Sequence, residues 1–229
     1  MSVEHQPRLP SPAERRRRNR EEMTGAILDA AREIMREQGV AALNLNEVAR
    51  RVGVKAPSLY EYFPGKAALY DALFRLGSTL FAGRLEVIAQ QDGDPFEQIG
   101  LAIEGYMTFA QEYPELWSLV FERPVPGFVP SAESMEISRA ILERGRQMVG
   151  NFIAAGRIRT DLTPEQATDF IDAVMHGLTA AHLANQPELP AGSGRFGGLI
   201  PVAVQFFRAG WQPQTQQEVS DADGDDGVD

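Results

Sequence analysis

Residues 52–66 read VGVKAPSLYEYFPGK and hold Lys55 and Lys66, the only two lysines of the chain. Between them stand Ser58, Tyr60 and Tyr62, three hydroxyls able to donate to phosphate oxygens. Ala56 and Pro57 are small apolar groups of the kind that meet thymine methyls in a major groove. Glu61 could accept from a cytosine amino group or be an ordinary solvated residue. Two ammonium groups flanking such a segment act as point charges towards two phosphate strands. The chemistry on offer is polyanion binding. Catalysis has little to work with. The chain has no cysteine and only three histidines, His5, His176 and His182. His176 and His182 are six apart, about 120° out of register on a helix, so they do not form a metal-ligand pair. No P-loop, nucleophile elbow or glycine-rich dinucleotide motif is present. No enzyme activity, metal or cofactor is expected, and the lack of cysteine fits a reducing, cytoplasmic setting.

The elements needed to position the segment can be read around it. Ile27, Ala30, Ala31, Ile34 and Met35 recur on one helical face, and Gly39 is a plausible stop. Asn44, with Glu47 three residues on, is a capping-box variant that starts a short helix carrying Leu45, Val48, Ala49 and Val52. Gly53 interrupts it. Pro57 fits only a first helical turn, so a second short helix begins near Ala56, runs to about Phe63 and stops at Pro64-Gly65. Leu59 and Phe63, four apart, point inward against Ala49 and Val52. Two short helices joined by a tight glycine-containing turn make a helix-turn-helix.

The rest of the chain frames this motif. Of 229 residues, 43% are apolar, enough for a sizeable core. The net charge of −10 divides unevenly: residues 1–75 carry 13 Lys+Arg against 10 Asp+Glu, and residues 76–229 carry 9 against 22. A basic front on an acidic body suits a polyanion met by the front alone, although on charge alone a solvated arm and an ordinary acidic surface are the favoured reading. Residues 1–20, rich in Pro and Arg, read as a disordered basic arm, with ERRRRNR either a solvated run or a groove- or phosphate-binding one. A long amphipathic helix from Lys66 is expected, then helices near 94–112, 114–122, 131–156, 163–186 and 195–210, with a proline-rich loop at 123–131 and a disordered acidic tail at 212–229. No strand pattern, internal repeat, signal peptide or membrane span is found.

From about Thr24 to Leu73 the chain resembles the DNA-binding domain of TetR-family transcriptional regulators. The resemblance rests on Gly39, Asn44, Val48-Ala49, Gly53-Val54, Leu59-Tyr60, Phe63 and Lys66, in fixed order. Two positions depart from the family pattern. The usual Ser/Thr caps of the short helices are Asn44 and Lys55, and Lys55 has no acceptor with which to cap. The common His before the Phe is Tyr62. The resemblance implies an all-α chain with a helix-turn-helix domain at 21–68 and a ligand-binding and dimerisation domain at 69–211. It implies a homodimeric repressor on double-stranded operator DNA, contacted by Asn44, Lys55, Ala56, Pro57, Ser58, Tyr60, Tyr62 and Lys66. Rival readings are an activator, a ligand-independent regulator, or an all-α binding protein or enzyme that only carries a similar hairpin.

The acidic body supplies its own hints. Met107, Trp117, Phe121, Phe128, Met148, Phe152, Met175 and His176 are candidates to line an apolar pocket for an unknown effector, although such stripes also serve as core. Gly177, Ala181 and Ala184 share one helical face, and Leu199, Ala203 and Phe206 lie on the last helix. Together these are candidates for a four-helix dimer seam, or for packing inside one subunit.

Overall fold

The computed structural model describes residues 11–90, 93–159 and 161–213, and no strand occurs among them. In chain order the helices are α1 (Pro12–Gln38), α2 (Leu45–Arg51), α3 (Ala56–Leu59), α4 (Lys66–Ala89), α5 (Pro95–Glu112), α6 (Pro114–Trp117), α7 (Ala132–Ala154), α8 (Pro164–Asn185), α9 (Gly194–Gly197) and α10 (Ile200–Trp211). The all-α expectation holds. The chain packs as two units, which do not follow the linear 21–68 and 69–211 division. One combines the described part of Met1–Thr79 with Tyr113–Glu136, and the other Leu80–Glu112 with the described part of Ile137–Asp229.

In the first unit, α1 buries Ile27, Ala30, Ala31, Ile34 and Met35, the face that its periodicity predicts. Its start corrects the expected arm. Residues 12–20 are helical because Ser11 caps the helix: its hydroxyl accepts from the Glu14 amide, and the Glu14 carboxylate accepts from the Ser11 amide. Pro12 occupies a position where its missing N–H costs nothing. The arginines that suggested an arm are also good helix formers, two of them spaced to pair with Glu21 and Glu22 one turn on. Residues 1–10 of the expected arm lie outside the described residues, as do 214–229 of the expected tail.

Polar ties hold α1 to its neighbours. Arg51, on α2, pairs with Glu33 and Glu37 of α1 and with Glu47 of its own helix. Glu115, on α6, is buried and gripped from α1 by Arg32 at 2.8 Å and Arg36 at 3.0 Å. Asp71, on α4, accepts from the Ser131 amide and from the Ser131 and Ser134 hydroxyls. Burial would raise the Asp71 carboxyl, but these bonds outweigh it and hold the group below the usual carboxylate range. At Gly77 α4 comes close to α6 and the helical turn after it: a Cβ there would lie 3.0 Å from Val120 Cγ2 and 3.2 Å from Leu116 Cβ.

In the second unit, α5 packs against α8 and α10. It buries Phe96, Ile99, Ile103, Tyr106, Met107, Phe109 and Ala110. Phe81 meets Tyr106 edge-on with ring centres 5.4 Å apart. The helix expected over 195–210 is divided into α9 and α10. Gly198 passes so close to the Gly194 carbonyl that a Cβ would sit 2.6 Å from it, and Pro201 opens α10 without an amide to donate.

Candidate nucleic-acid interface

The helix-turn-helix forms as its sequence implies, with two local differences. Asn44 caps α2, its side-chain oxygen accepting from the Asn46 amide at 2.9 Å. The reciprocal half of the capping box does not form, because Glu47 turns instead to Arg50 and Arg51. Hydrogen bonds from these two guanidinium groups draw the Glu47 carboxyl down to about 2. Helix α3 is a single turn, Ala56–Leu59, rather than a helix reaching Phe63. The chain then closes tightly, with the Tyr62 and Phe63 amides both donating to the Leu59 carbonyl. Between the helices Gly53 takes φ 73°, a left-handed conformation open to glycine, and the Val54 amide returns to the Ala49 carbonyl.

This geometry separates inner from outer residues. Val48, Ala49, Leu59 and Phe63 are buried. Asn44, Lys55, Pro57, Tyr60, Glu61 and Lys66 are exposed, with Ala56, Ser58 and Tyr62 half-buried. Tyr60 is 54% exposed and is not part of the core. Lys55 stands at the N-cap of α3 without a side-chain capping bond. Lys66 has a structural partner as well: its ammonium donates to the Ala41 carbonyl at 3.1 Å and lies 5.4 Å from the centre of the Tyr70 ring. Tyr70 is buried beside it, donates to the Val40 carbonyl at 2.6 Å, and has its phenol pushed by burial to about 12.

One contributor was not foreseen. Arg20 of α1 donates to the Glu61 carbonyl at 2.9 Å and lies over the Tyr62 ring at 5.1 Å. It thereby satisfies a backbone acceptor just beyond α3 and holds that end in place. Its position seven residues before Ile27, on the same face of α1, was the available signal.

The candidate pocket residues are divided between the two units. Trp117, Phe121 and Phe128 belong to the first unit, and Met107, Met148, Phe152, Met175 and His176 to the second. Trp117, Met107, Phe152 and Met175 are buried. Phe128 stacks near Tyr70, ring centres 5.4 Å apart. His176 shares a hydrogen bond of 3.0 Å with the Tyr106 hydroxyl. A concavity of about 490 Å³ lies elsewhere, on α8 and α10, lined by Phe170, Val174, Leu178, Val202 and Phe207 together with Leu199, Ala203 and Phe206 of the candidate dimer seam. Phe206 is 77% exposed there. Gly177 and Ala184 are also exposed and Ala181 half-buried; at helical spacing they fall on the stripe of Phe170 and Val174.

Comparison with known proteins agrees with the reading head. Residues 27–73 match the family model described as bacterial regulatory proteins, tetR family. An HTH-type transcriptional regulator of Mycobacterium tuberculosis is 27% identical over 165 residues, covering 68% of this chain and 69% of that protein. The HTH-type transcriptional activator FasR of Mycolicibacterium smegmatis is 29% identical over 103 residues, 45% of this chain and 47% of its own. The fold is shared by the transcriptional regulator FadR of Bacillus subtilis, solved in complex with stearoyl-CoA, with a TM-score of 0.65 at 20% identity over 81% of this chain and 98% of that one. Residues 27–73 are therefore a TetR-family helix-turn-helix, and the chain carries the DNA-binding element of a transcriptional regulator.

Proposed function

We propose that the chain is a homodimeric repressor that leaves its operator when a small apolar or amphipathic ligand binds. The observation that carries the DNA half is the exposed rim of α3. Lys55, Pro57 and Tyr60 face solvent while Leu59 and Phe63 of the same segment are buried. On this reading Ala56 and Pro57 meet base edges, while Ser58, Tyr60 and Tyr62 with Lys55 and Lys66 hold phosphates. Asn44 keeps α2 in register and adds a polar contact. The exposed apolar stripe of α8 and α10 supports dimerisation, since such a face is seldom left to water.

The ligand half draws on the aromatic interior around α5, where the Tyr106–His176 hydrogen bond supplies a polar point within an apolar setting. The FadR relative in fold carries stearoyl-CoA, which makes long-chain acyl-CoA the first probe to use. Selecting duplexes from a random library with the purified protein should recover a pseudo-palindrome with half-sites about one helical turn, or a small multiple, apart. A single asymmetric half-site at stoichiometric binding would count against the dimer. Stearoyl-CoA should then weaken operator binding by about 5–150-fold, the usual span of allosteric coupling. If apolar and amphipathic compounds that bind tightly leave operator affinity unchanged, ligand release is wrong. Activation is the second reading, favoured by the matched activator FasR. Run-off transcription on the selected promoter separates the two by sign.

A further inference from the structure

The buried stripe of α1 has a continuation with no core beneath it. Ile27, Ala31 and Ile34 are buried, and the same face followed towards the N-terminus leads to Arg20 and then to Arg16 and Arg17. At about 100° per residue, Arg16 and Arg17 stand about 40° and 60° to either side of Arg20, whereas Arg15 and Arg18 lie about 140° and 160° away. Arg20 shows where this face points, because it grips the Glu61 carbonyl and the Tyr62 ring at the end of the recognition segment. The preceding turn therefore overhangs that end, with arginines where apolar residues stand further along. The overhang is a formed helix held by the Ser11–Glu14 capping box. Arg16 makes no ion pair among the described residues. Arg17 is 77% exposed and meets Glu21 at 3.5 Å, a surface pair that exchanges readily with another anion.

We propose that the first turns of α1 form a rigid basic overhang that binds duplex DNA phosphates beside the base pairs met by α3. Arg16 and Arg17 make the contacts, and Arg20 sets the overhang against the recognition segment. The inference rests on the DNA-binding reading above. It differs from a loose arm in one respect: only one face of the helix counts. Arg15 and Arg18 carry the same charge on the same turns but point away.

The test uses the full chain with Arg16→Gln, Arg17→Gln, Arg15→Gln and Arg18→Gln, each checked for helix content and melting temperature. Binding is measured over a salt series on the duplex selected by the wild-type protein and on a random duplex. Arg16→Gln and Arg17→Gln should each flatten the slope of log K against log salt by about one unit and weaken both duplexes alike. Arg15→Gln and Arg18→Gln should match wild type. Arg20→Ala should lower the operator affinity, and Arg20→Lys should restore part of the loss. Equal effects from all four glutamine variants would mean an unoriented cloud of charge and overturn the proposal. So would no effect from any of them, or a change in the selected sequence on Arg16→Gln, which would mean base reading in the minor groove. A wild-type protein that binds no duplex sinks the underlying reading together with this one. Wild-type binding with unaffected Arg16 and Arg17 variants sinks the overhang alone.

Discussion

The two lysines that mark the reading segment are not equivalent. Lys55 is exposed with no capping role, and among the described residues its ammonium has no partner, which leaves it open to a phosphate. Lys55→Ala should weaken binding to all duplexes alike and flatten the salt slope by about one unit, with no change in melting temperature. Lys66 also ties the start of α4 to the Ala41 carbonyl. Lys66→Ala should flatten the slope similarly and, in addition, destabilise the domain by about 1 kcal/mol in chemical denaturation. An unchanged salt slope would leave Lys66 a structural residue only. Substitutions at Ala56 and Pro57 should instead alter which duplexes are selected, since apolar contacts to bases carry sequence information and phosphates do not. At this scale the sequence is informative wherever one residue type answers one local need. Asn44 caps, Gly53 takes a positive φ, and Leu59 and Phe63 turn inward. It is silent where partners meet from afar: nothing near Glu115 announces Arg32 and Arg36, some 80 residues earlier in the chain.

Among the elements, α2 and the long helices α4, α5, α7 and α8 are legible from periodicity and caps. Besides the shortened α3, the chain departs from its periodicity at two places, and in both a local backbone feature outweighs composition. Residues 12–20 lack the apolar spacing of a packed helix, yet a capping box and helix-favouring arginines suffice to extend α1 through them. Across 195–210 the apolar spacing continues, yet the close backbone at Gly198 and the proline at 201 divide the stretch. One helix also carries a pH dependence. Burial pushes Asp172 of α8 up to about 6, and the neighbouring Asp169 adds to the shift. Its folded pKa exceeds the unfolded value of 3.8, so the folded state holds its proton more tightly and loses stability as pH rises from about 4 to 6. Asp172→Asn should therefore stabilise the protein at pH 7.5, by on the order of 1–3 kcal/mol, and by much less at pH 4. Denaturant melts at the two pH values check this; an equal effect at both would remove the carboxyl as the cause.

For the molecule as a whole, the apolar stripe of α8 and α10 should govern assembly. Phe206 is almost bare, so Phe206→Arg should leave the fold intact, convert dimer to monomer in sedimentation, and lower operator affinity by at least about 10-fold through loss of the second half-site contact. A dimeric Phe206→Arg protein would remove this face from the interface. The stripe is visible in the spacing of Gly177, Ala181 and Ala184, whereas a ligand pocket has no such mark. Large apolar residues look alike in sequence whether they fill a core or line a cavity, and Trp117 and Met107 sit in different packing units. The Glu115 clasp has a mechanical consequence. Arg32 and Arg36 hold one end of a continuous 27-residue helix whose other end carries Arg16. At 1.5 Å per residue, Arg16 is about 24–30 Å from the clasp. A tilt of about 5° at Glu115 would swing that tip by about 2–3 Å, close to the length of a hydrogen bond. If α1 turns as a rigid rod it is in this sense a lever arm, and a small displacement of α6 would reach its tip and load the Arg20–Glu61 bond on the way.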